Sequence, residues 1–406
     1  MIIKDIEKTT CTGCSACKDI CPVNAIEIIS DVEGFYIPNI ISEKCIECNL
    51  CGSLCPSLNK TLIQSTKIGY IVRLKENKIL KNSASGGAFA GIAKYLIETK
   101  NAFVVGAAID KSLKVKHTII NKIENLKELQ NSKYVQSYID NIYSEVKKIL
   151  EQGEIVLFTG TPCQIAGIYA VIPEELRKNL YTADLVCHGV SSPKFLERQL
   201  KEESKSKQGK VINFKFRYKN PKATTISSYM MMMMMEKGLP KIKRINQDIY
   251  FKLFIEGKNF RESCYNCKYA NKNRIGDFTL GDCDSKEFYP KFHPKESNSI
   301  LLLNSEKALK IWEELKTNYD YCILDIEREA QYNHQLNHPF KRPKERNGIY
   351  KDLLNTNWEL LQSKYVDKQS NLDRYKLLFL LNTPSYLSFP LVLLKTFLSK
   401  LKTKIK

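Results

Sequence analysis

Two cysteine runs near the start of the sequence constrain the fold more than any other feature. Each run has the spacing C-x2-C-x2-C-x3-C-P, and the second run follows the first by 34 residues. This spacing places three thiols on one tight loop, and the proline turns the chain away after the fourth. The eight cysteines are Cys11, Cys14, Cys17, Cys21, Cys45, Cys48, Cys51 and Cys55.

The repeated spacing is typical of bacterial ferredoxins with two 4Fe-4S clusters, in which the fourth cysteine of each run binds the other cluster. It predicts one ligand set of Cys11, Cys14, Cys17 and Cys55, and a second set of Cys45, Cys48, Cys51 and Cys21. A disulfide framework is the alternative, but residues 1–5 carry charge and lack the apolar segment of a secretory signal. We therefore expect an α+β, ferredoxin-like two-cluster module over residues 1–60 that transfers electrons singly.

Composition narrows the class of protein further. Fourteen cysteines without an export signal predict a reducing compartment, which we interpret as the cytoplasm. The net charge of +19 is uneven, since residues 1–60 contain five Lys against eight Asp or Glu. A basic excess can indicate nucleic-acid binding. No helix-turn-helix, RNP or zinc-finger pattern is present, so we expect no nucleic-acid partner and attribute most of the excess to solvated lysines.

Residues 67–340 alternate between short apolar strands and amphipathic helices. Strands are predicted near 69–74, 102–109, 154–158 and 181–186, and helices near 87–99, 140–152 and 193–203. Further strands are predicted near 210–218 and 224–235, where the run Met230–Met235 is expected to fill core. This alternation predicts an α/β domain with a largely parallel sheet.

The remaining residues, 341–406, are predicted to form a helical C-terminal region with a basic, apolar tail. Leu377–Leu394 is 18 residues long and uncharged, and five lysines follow it. Three alternatives remain: a peripheral anchor at the cytoplasmic face of a membrane, packing against protein, or a true span. Pro384 and Pro390 argue against the span.

Six short motifs in the second domain carry a resemblance to a known family. They are Ser83–Gly87, Ser132–Ser137, Gly160–Gln164, Cys187–Val190, Cys264–Cys267 and Gly281–Asp282. Together and in this order, they resemble the beta subunit of the deazaflavin (coenzyme F420) hydrogenase/dehydrogenase family. The resemblance implies FAD as a cofactor and electron transfer between iron–sulphur clusters and the flavin. It also implies hydride exchange with an organic acceptor, which in archaea is the deazaflavin.

The resemblance leaves the substrate and partners open. Many bacterial relatives occur in surface-polysaccharide gene sets, so a reductase acting on a sugar-type precursor is one alternative. Another is a non-catalytic electron-transfer subunit. In each case we expect a ferredoxin or other redox protein as partner, and for either enzyme a small-molecule substrate.

Candidate cofactor-binding residues lie in three of the motifs. Ser85, Gly86 and Gly87 open a helix, where unpaired N–H groups favour phosphate. Lys133 would add a positive charge for phosphate or flavin, with Tyr134 beside it in the motif. The remaining candidates follow a strand at its carboxyl end, where ligands of open α/β sheets bind: Gly160, Thr161 and Pro162.

Four further cysteines could form a third metal site. They are Cys163, Cys187, Cys264 and Cys267. A third 4Fe-4S cluster, a zinc ion and buried free thiols are the alternatives. Cys283 is near enough in sequence to replace one ligand and stands where the family usually has an aromatic residue, whereas Cys322 is expected in the core.

His188 is the only histidine inside a motif and is the candidate catalytic residue, as a proton donor to reduced flavin or substrate. A structural hydrogen-bonding role is the alternative. The other histidines are expected to be structural or on the surface, and His334 and His338 are not expected to share a helical face. No G-x-G-x-x-G turn follows a strand, so a nicotinamide site is not expected.

Overall fold

The computed structural model describes residue 3 and residues 6–61, 63–219, 230–292 and 297–367. The first cysteine run leads into helix α1 (Ala16–Ile20) and the second into helix α2 (Leu50–Ser53). Strands β1 (Ile26–Ser30) and β2 (Tyr36–Ile40) form an antiparallel hairpin between them. Thiols and a few isoleucines fill the interior of this small module. The predicted α+β module is confirmed.

The second part of the chain alternates strands and helices as predicted. The strands are β3 (Ile68–Leu74), β4 (Phe103–Ile109), β5 (Val115–Ile120), β6 (Val156–Gly160), β7 (Leu180–Leu185), β8 (Val211–Lys215), β9 (Met230–Met235), β10 (Lys241–Arg244), β11 (Phe278–Asp282), β12 (Ser299–Leu303) and β13 (Tyr319–Ile323). The helices are α3 (Asn77–Leu80), α4 (Ala88–Lys100), α5 (Leu126–Leu129), α6 (Ile142–Glu151), α7 (Pro162–Val171), α8 (Pro193–Glu203), α9 (Ile249–Ile255), α10 (Glu306–Leu315), α11 (Ile326–Tyr332), α12 (Arg346–Asn355) and α13 (Trp358–Tyr365).

Eight strands form one sheet in the order β13-β3-β12-β11-β7-β6-β4-β5. The central neighbours β11, β7, β6 and β4 are parallel, and the pairs outside them are antiparallel. The predicted α/β domain is therefore confirmed, with its parallel strands at the centre of a mixed sheet. The carboxyl ends of these central strands lie along one edge, where the motif residues follow them.

Both faces of the sheet are covered by helices. All five residues of β6 are buried, because neighbouring residues of a strand point to opposite faces. Val104 packs in one apolar cluster with α4 and α10, whereas Val105 packs in another with α6 and α7. The central strands are therefore apolar throughout, which explains their continuous hydrophobic segments in the sequence.

The methionine run lies in a second, three-stranded antiparallel sheet of order β10-β9-β8. All its residues except Met234 are buried, and Met231 and Met233 pack with Phe214 and Phe251 in a cluster that also contains α8 and α9. The run is core, as predicted. Only residues 230–235 of the predicted strand 224–235 are described.

The described part of the C-terminal region is helical. Helices α12 and α13 pack on the same aromatic cluster through Tyr350 and Leu361. Within the described ranges, no helix is long and apolar enough to cross a membrane. The tail from residue 368 onward lies outside the described residues, so its three alternatives stay predictions.

Candidate redox centre and ligand pocket

Four thiols of the ferredoxin-like module surround one small cavity. It encloses about 350 Å³, part of it open to solvent. These four, the outer thiols, are Cys21, Cys45, Cys48 and Cys51. They are the second predicted ligand set, and Cys48 is exposed. A cavity lined by four thiols fits a 4Fe-4S cluster.

The inner thiols are Cys11, Cys14, Cys17 and Cys55, and three of them are buried. Burial raises the pKa of Cys17 well above its usual value, and the neighbouring thiols of Cys14, Cys11 and Cys55 raise it further. Cys55 therefore lies near the thiols of the first run, as does Cys51, and the assignment of Cys55 to this ligand set stays a prediction. Because several buried thiols face each other, their deprotonation needs the positive charge that bound iron supplies.

A third group of cysteines comes together from distant parts of the sequence. The third thiols are Cys163, Cys187, Cys264 and Cys267. Cys163 lies in the first turn of α7, Cys187 follows β7, and the C-x2-C pair lies at a 3-10 turn, Glu262–Asn266. Burial raises the pKa of Cys187, and the charges of Cys264, Cys163 and Cys267 raise it further. The four predicted ligands are therefore neighbours.

The inner and third thiols adjoin each other. Burial raises the pKa of Cys14 to about 12, and among the nearby thiols Cys163 contributes most to the rise. Tyr143 joins the two groups, since its hydroxyl donates to the carbonyl oxygens of Cys14 at 2.9 Å and Gln164 at 3.1 Å. Helix α7 approaches closely at Gly167, where an added Cβ would lie 3.4 Å from that of Cys14.

For the third thiols, a 4Fe-4S cluster, a zinc ion and buried free thiols remain the alternatives. Zinc bound by four cysteines has Zn–S distances of about 2.3 Å, which requires the sulphurs to converge on one point. In the described parts of the chain, no group of three or more His, Cys, Asp or Glu side chains is close enough to hold a single ion.

A large pocket opens at the carboxyl edge of the central strands. It encloses about 1590 Å³, part of it open to solvent. Five of the six motifs contribute to its walls. Among the predicted cofactor-binding residues, six line it: Ser85, Gly87, Lys133, Tyr134, Gly160 and Thr161. Cys187 also lines it, so the third thiols and the pocket share a wall.

The N-terminus of α4 faces this pocket. Gly87 has φ +83° and is the N-cap residue, with no side-chain cap. Gly87, Ala88 and Phe89 line the pocket, so the unpaired N–H groups of the first helical turn are available to an anion. The 13-residue helix adds a favourable dipole.

Gly86 and Pro162 are not among the residues that line the pocket, and their role in binding stays a prediction. The N–H of Gly86 already donates to Ser299 Oγ at 2.9 Å. An added Cβ at Gly86 would lie 2.3 Å from the carbonyl oxygen of Val72. Gly86 is therefore required for close packing against β3, and Pro162 is a buried first residue of α7.

Lys133 and Arg217 line the pocket, and Lys219 contacts the pocket residue Ser85. Burial, assisted by Lys215, lowers the pKa of Lys133 to about 7, and its ammonium donates to two backbone carbonyls. Lys219 donates to Ser85 O at 2.8 Å. Arg217 pairs with Asp282 at 2.6 Å and donates to the hydroxyl of Tyr134 at 3.0 Å.

A buried polar network around His117 was missed by the sequence analysis. His117 Nε2 lies 3.1 Å from Thr159 O, and Nδ1 lies 3.1 Å from the hydroxyl of Ser137. Because a carbonyl only accepts, Nε2 carries the proton and Nδ1 accepts from Ser137. Burial lowers the pKa of His117 to about 4, so the ring is neutral. Gln164 donates to Ser137 and, in turn, accepts from Thr161 N.

Three other candidates from the sequence are His188, Cys283 and Cys322. His188 is exposed and lines the pocket; desolvation by the pocket walls lowers its pKa, and the nearby Asp282 opposes that shift. Cys283 is buried beside Glu329, with its sulphur 3.6 Å from a carboxylate oxygen, and is not among the pocket residues. Cys322 is half-buried at the edge of an apolar cluster.

His334 and His338 do not lie in one helix, since the turn that begins at His334 ends at Leu336. A 3-10 turn, His334–Leu336, brings their rings into a stacked contact with centroids 5.7 Å apart. His338 is exposed, as expected for a surface residue.

Comparison with known proteins identifies two parts of the chain. Residues 153–329 match the family described as the C terminus of the coenzyme F420 hydrogenase/dehydrogenase beta subunit. Residues 10–59 match the 4Fe-4S dicluster domain. No curated protein matches the chain significantly.

One solved structure similar to this chain belongs to the F420-reducing nickel–iron hydrogenase complex of Methanosarcina barkeri. The sequence identity is 15% and the TM-score 0.45, and the match covers 69% of this chain and 97% of that chain. A TM-score this low supports no conclusion about function.

Proposed function

We propose that this iron–sulphur oxidoreductase is an FAD-dependent enzyme of the cytoplasm. The proposal is supported by the match of residues 153–329 to the family of coenzyme F420 hydrogenase/dehydrogenase beta subunits. It is also supported by the match of residues 10–59 to the 4Fe-4S dicluster domain. The enzyme would exchange a hydride with a small organic acceptor of the deazaflavin type. When bound, the clusters supply one-electron transfer, and the flavin converts between one- and two-electron chemistry.

The observation that carries this proposal is the position of Cys187. Its thiol is a close electrostatic neighbour of Cys264, Cys163 and Cys267, and the same residue lines the large pocket. Thr161 makes the same connection, since its hydroxyl lies 3.1 Å from Cys163 Sγ and its surface lines the pocket. A cluster on the third thiols would therefore adjoin whatever occupies the pocket.

Residues that line the pocket support the proposal of FAD as the cofactor. The first turn of α4, beginning after Gly87, offers N–H groups to a pyrophosphate, and Lys133 and Arg217 add positive charge nearby. Apolar residues such as Leu129 and Phe254 supply surface for a ring system. His188, exposed in the same pocket, can orient the acceptor and hold a proton at an imidazole nitrogen.

Electrons would reach the outer thiols from a redox partner protein. Cys48 is exposed there, and the exposed apolar side chains of Ile46 and Leu50 adjoin the same cavity. A partner that covered these side chains would remove apolar surface from water. It would also bring its own redox group close to the outer thiols.

A sugar-type precursor of surface polysaccharide is an alternative acceptor for the same pocket. The pocket has polar groups as well as apolar ones on its walls, which suits a sugar-type acceptor as well as a deazaflavin. The non-catalytic electron-transfer subunit keeps the three thiol groups but needs no acceptor in the pocket.

The decisive experiment is to purify the full-length protein anaerobically and to count iron, sulphide, zinc and flavin per chain, with Cys187→Ser as the matched variant. We expect about twelve irons and one FAD in the wild type, and about eight irons in the variant. Eight irons in both proteins would contradict the third cluster.

The same preparation tests the flavin. Absence of FAD after reconstitution with an excess of the cofactor would contradict the hydride reaction and favour the electron-transfer subunit. With FAD bound, turnover of candidate acceptors in single-substrate assays distinguishes deazaflavin from sugar-type substrates.

A further inference from the structure

Arg261 is a buried cation that lies between the inner and third thiols. It is 3% exposed. Its guanidinium donates from Nε to Cys11 O at 2.9 Å and from Nη1 to Tyr36 O at 2.9 Å. The remaining nitrogen, Nη2, lies 3.6 Å from Cys11 Sγ. One face of the guanidinium packs over the ring of Phe35, with 5.7 Å to its centroid.

The same guanidinium acts on the third thiols. Burial raises the pKa of Cys163 to about 11 and that of Cys264 to about 12, and in both cases the nearby Arg261 opposes the rise. Its backbone fixes this position, because Arg261 N donates to Val190 O and the residue precedes the 3-10 turn that carries Cys264.

The charge on Arg261 lacks the partner that other buried arginines have. The other buried arginines of the described residues each pair with a carboxylate: Arg217 with Asp282, Arg274 with Asp184, and Arg346 with Glu33 and Glu262. No described carboxylate pairs with Arg261; its partners are carbonyl oxygens and a thiol. An isolated buried charge is costly, so the structure requires a negative group here.

We propose that Arg261 is the counter-charge of the iron–sulphur centres, and that it raises the reduction potential of the cluster on the inner thiols. A cluster held by four thiolates is anionic and becomes more so on gaining an electron, so a buried cation beside Cys11 Sγ favours the reduced form. Net charge and hydrogen bonds to the sulphurs are among the factors that set such potentials. No proton is transferred in this step.

The effect on the inner cluster depends only on the dicluster domain. The influence of Arg261 on Cys163 and Cys264 rests on the proposed third cluster, and there Arg261 would reduce the repulsion between two adjacent reduced centres. The two parts fail separately, since iron counting tests the third cluster, whereas the potential of the inner cluster tests Arg261.

The experiment is a redox titration of the full-length, anaerobic protein followed by electron paramagnetic resonance. Arg261→Gln removes the charge and Arg261→Lys retains it without the planar geometry. Arg177→Gln is the matched control, because Arg177 likewise donates to two carbonyls, those of Ile172 and Tyr169.

We expect Arg261→Gln to make reduction of one cluster at least tenfold less favourable, a shift of about 59 mV for one electron. The reduction potential in Arg261→Lys should lie between those of Arg261→Gln and the wild type. The potential in Arg177→Gln should equal that of the wild type. Equal potentials in Arg261→Gln and Arg177→Gln, with the clusters intact, would overturn the proposal.

A measurement on the wild type covers the case in which Arg261→Gln does not fold. Protein labelled with nitrogen-15 in arginine only should show a nitrogen hyperfine coupling to a reduced cluster in pulsed resonance spectra. Absence of that coupling would also overturn the proposal.

Discussion

The hydroxyl of Tyr143 donates to the carbonyl oxygen of Cys14 at 2.9 Å. This bond joins helix α6 of the α/β domain to the loop that carries the inner thiols. It is one of several contacts across this junction, since Ser144 N also donates to Asp19 at 3.2 Å. The distance between the inner and third thiols is therefore set by how closely α6 and α7 approach the first module.

Gly167→Ala is predicted to disturb this approach. An added Cβ would lie 2.6 Å from the hydroxyl of Tyr143 and 3.4 Å from the Cβ of Cys14. Since both neighbours are buried, we expect the variant to be destabilised by about 1–3 kcal/mol. Chemical denaturation followed by tryptophan fluorescence measures this.

Gly348→Ala is the control for that substitution. Gly348 lies inside α12, and an added Cβ there meets nothing within 4 Å. It should be neutral or stabilise by roughly 0.5–1 kcal/mol, because alanine favours helix. Equal stability of the two variants would contradict the tight packing at Gly167.

Arg346→Gln is predicted to loosen the first module from the rest of the chain. Arg346 is 1% exposed and binds Glu33 through two nitrogens, at 3.0 and 2.7 Å, and Glu262 at 2.7 Å. The variant leaves both carboxylates without this cation, so we expect a loss of roughly 3 kcal/mol in the free energy of unfolding.

The matched control is Arg342→Gln. Arg342 also binds Glu262, at 2.7 Å, but its side chain is 36% exposed. We expect a loss below about 1 kcal/mol, since exposed ion pairs contribute little. A similar loss in both variants would show that burial does not distinguish the two arginines.

How much could be predicted from the sequence depends on whether the signal was local. The cysteine runs are local patterns, so spacing alone predicted the 4Fe-4S dicluster domain that residues 10–59 match. The third thiols were predictable as candidates because Cys163 and Cys187 follow two strands that are neighbours in a parallel sheet. Their contact with the inner thiols depends on how two domains pack, which spacing does not encode.

Gly86 and His117 have contacts that the sequence alone did not reveal. Gly86 looks like a phosphate-binding glycine in its motif, but its role comes from contact with Val72 and Ser299, remote in sequence. His117 carried a usable signal, since it shares the buried face of β5 with Val115 at a spacing of two. Its hydrogen-bond partners, Ser137 and Thr159, come from two other segments, so no motif contains the network.

The buried His117 should make stability depend on pH. Its pKa is lowered to about 4 in the folded protein, from about 6.5 when unfolded. Below pH 6.5 the unfolded chain therefore binds more protons, and the free energy of unfolding falls as the pH drops from 6.5 towards 4. Well above pH 6.5 the imidazole is neutral in both the folded and the unfolded state, so this loss of stability does not occur.

The test compares the wild type with His117→Gln at pH 7.5 and 5.5. Denaturation should show that the wild type loses about 1 kcal/mol more than the variant over this interval. His338→Gln, at an exposed site, should behave as the wild type does. An equal pH dependence in all three proteins would contradict a neutral, buried His117.

Lys133 should make anion binding in the pocket depend on pH. Burial and Lys215 lower the pKa of Lys133 to about 7, so the ammonium is charged at pH 6 and largely neutral at pH 8. A positive charge on the pocket wall attracts the pyrophosphate of FAD. We therefore expect FAD to bind several-fold more weakly at pH 8 than at pH 6, and the protein to take up a proton when FAD binds at pH 8.

Fluorescence titration of the flavin measures the affinity at each pH. We expect Lys133→Gln to bind FAD weakly, and with equal affinity at both pH values. Lys127→Gln, an exposed neighbour in sequence, should keep the wild-type pH dependence; the same dependence in Lys133→Gln would assign it to another group.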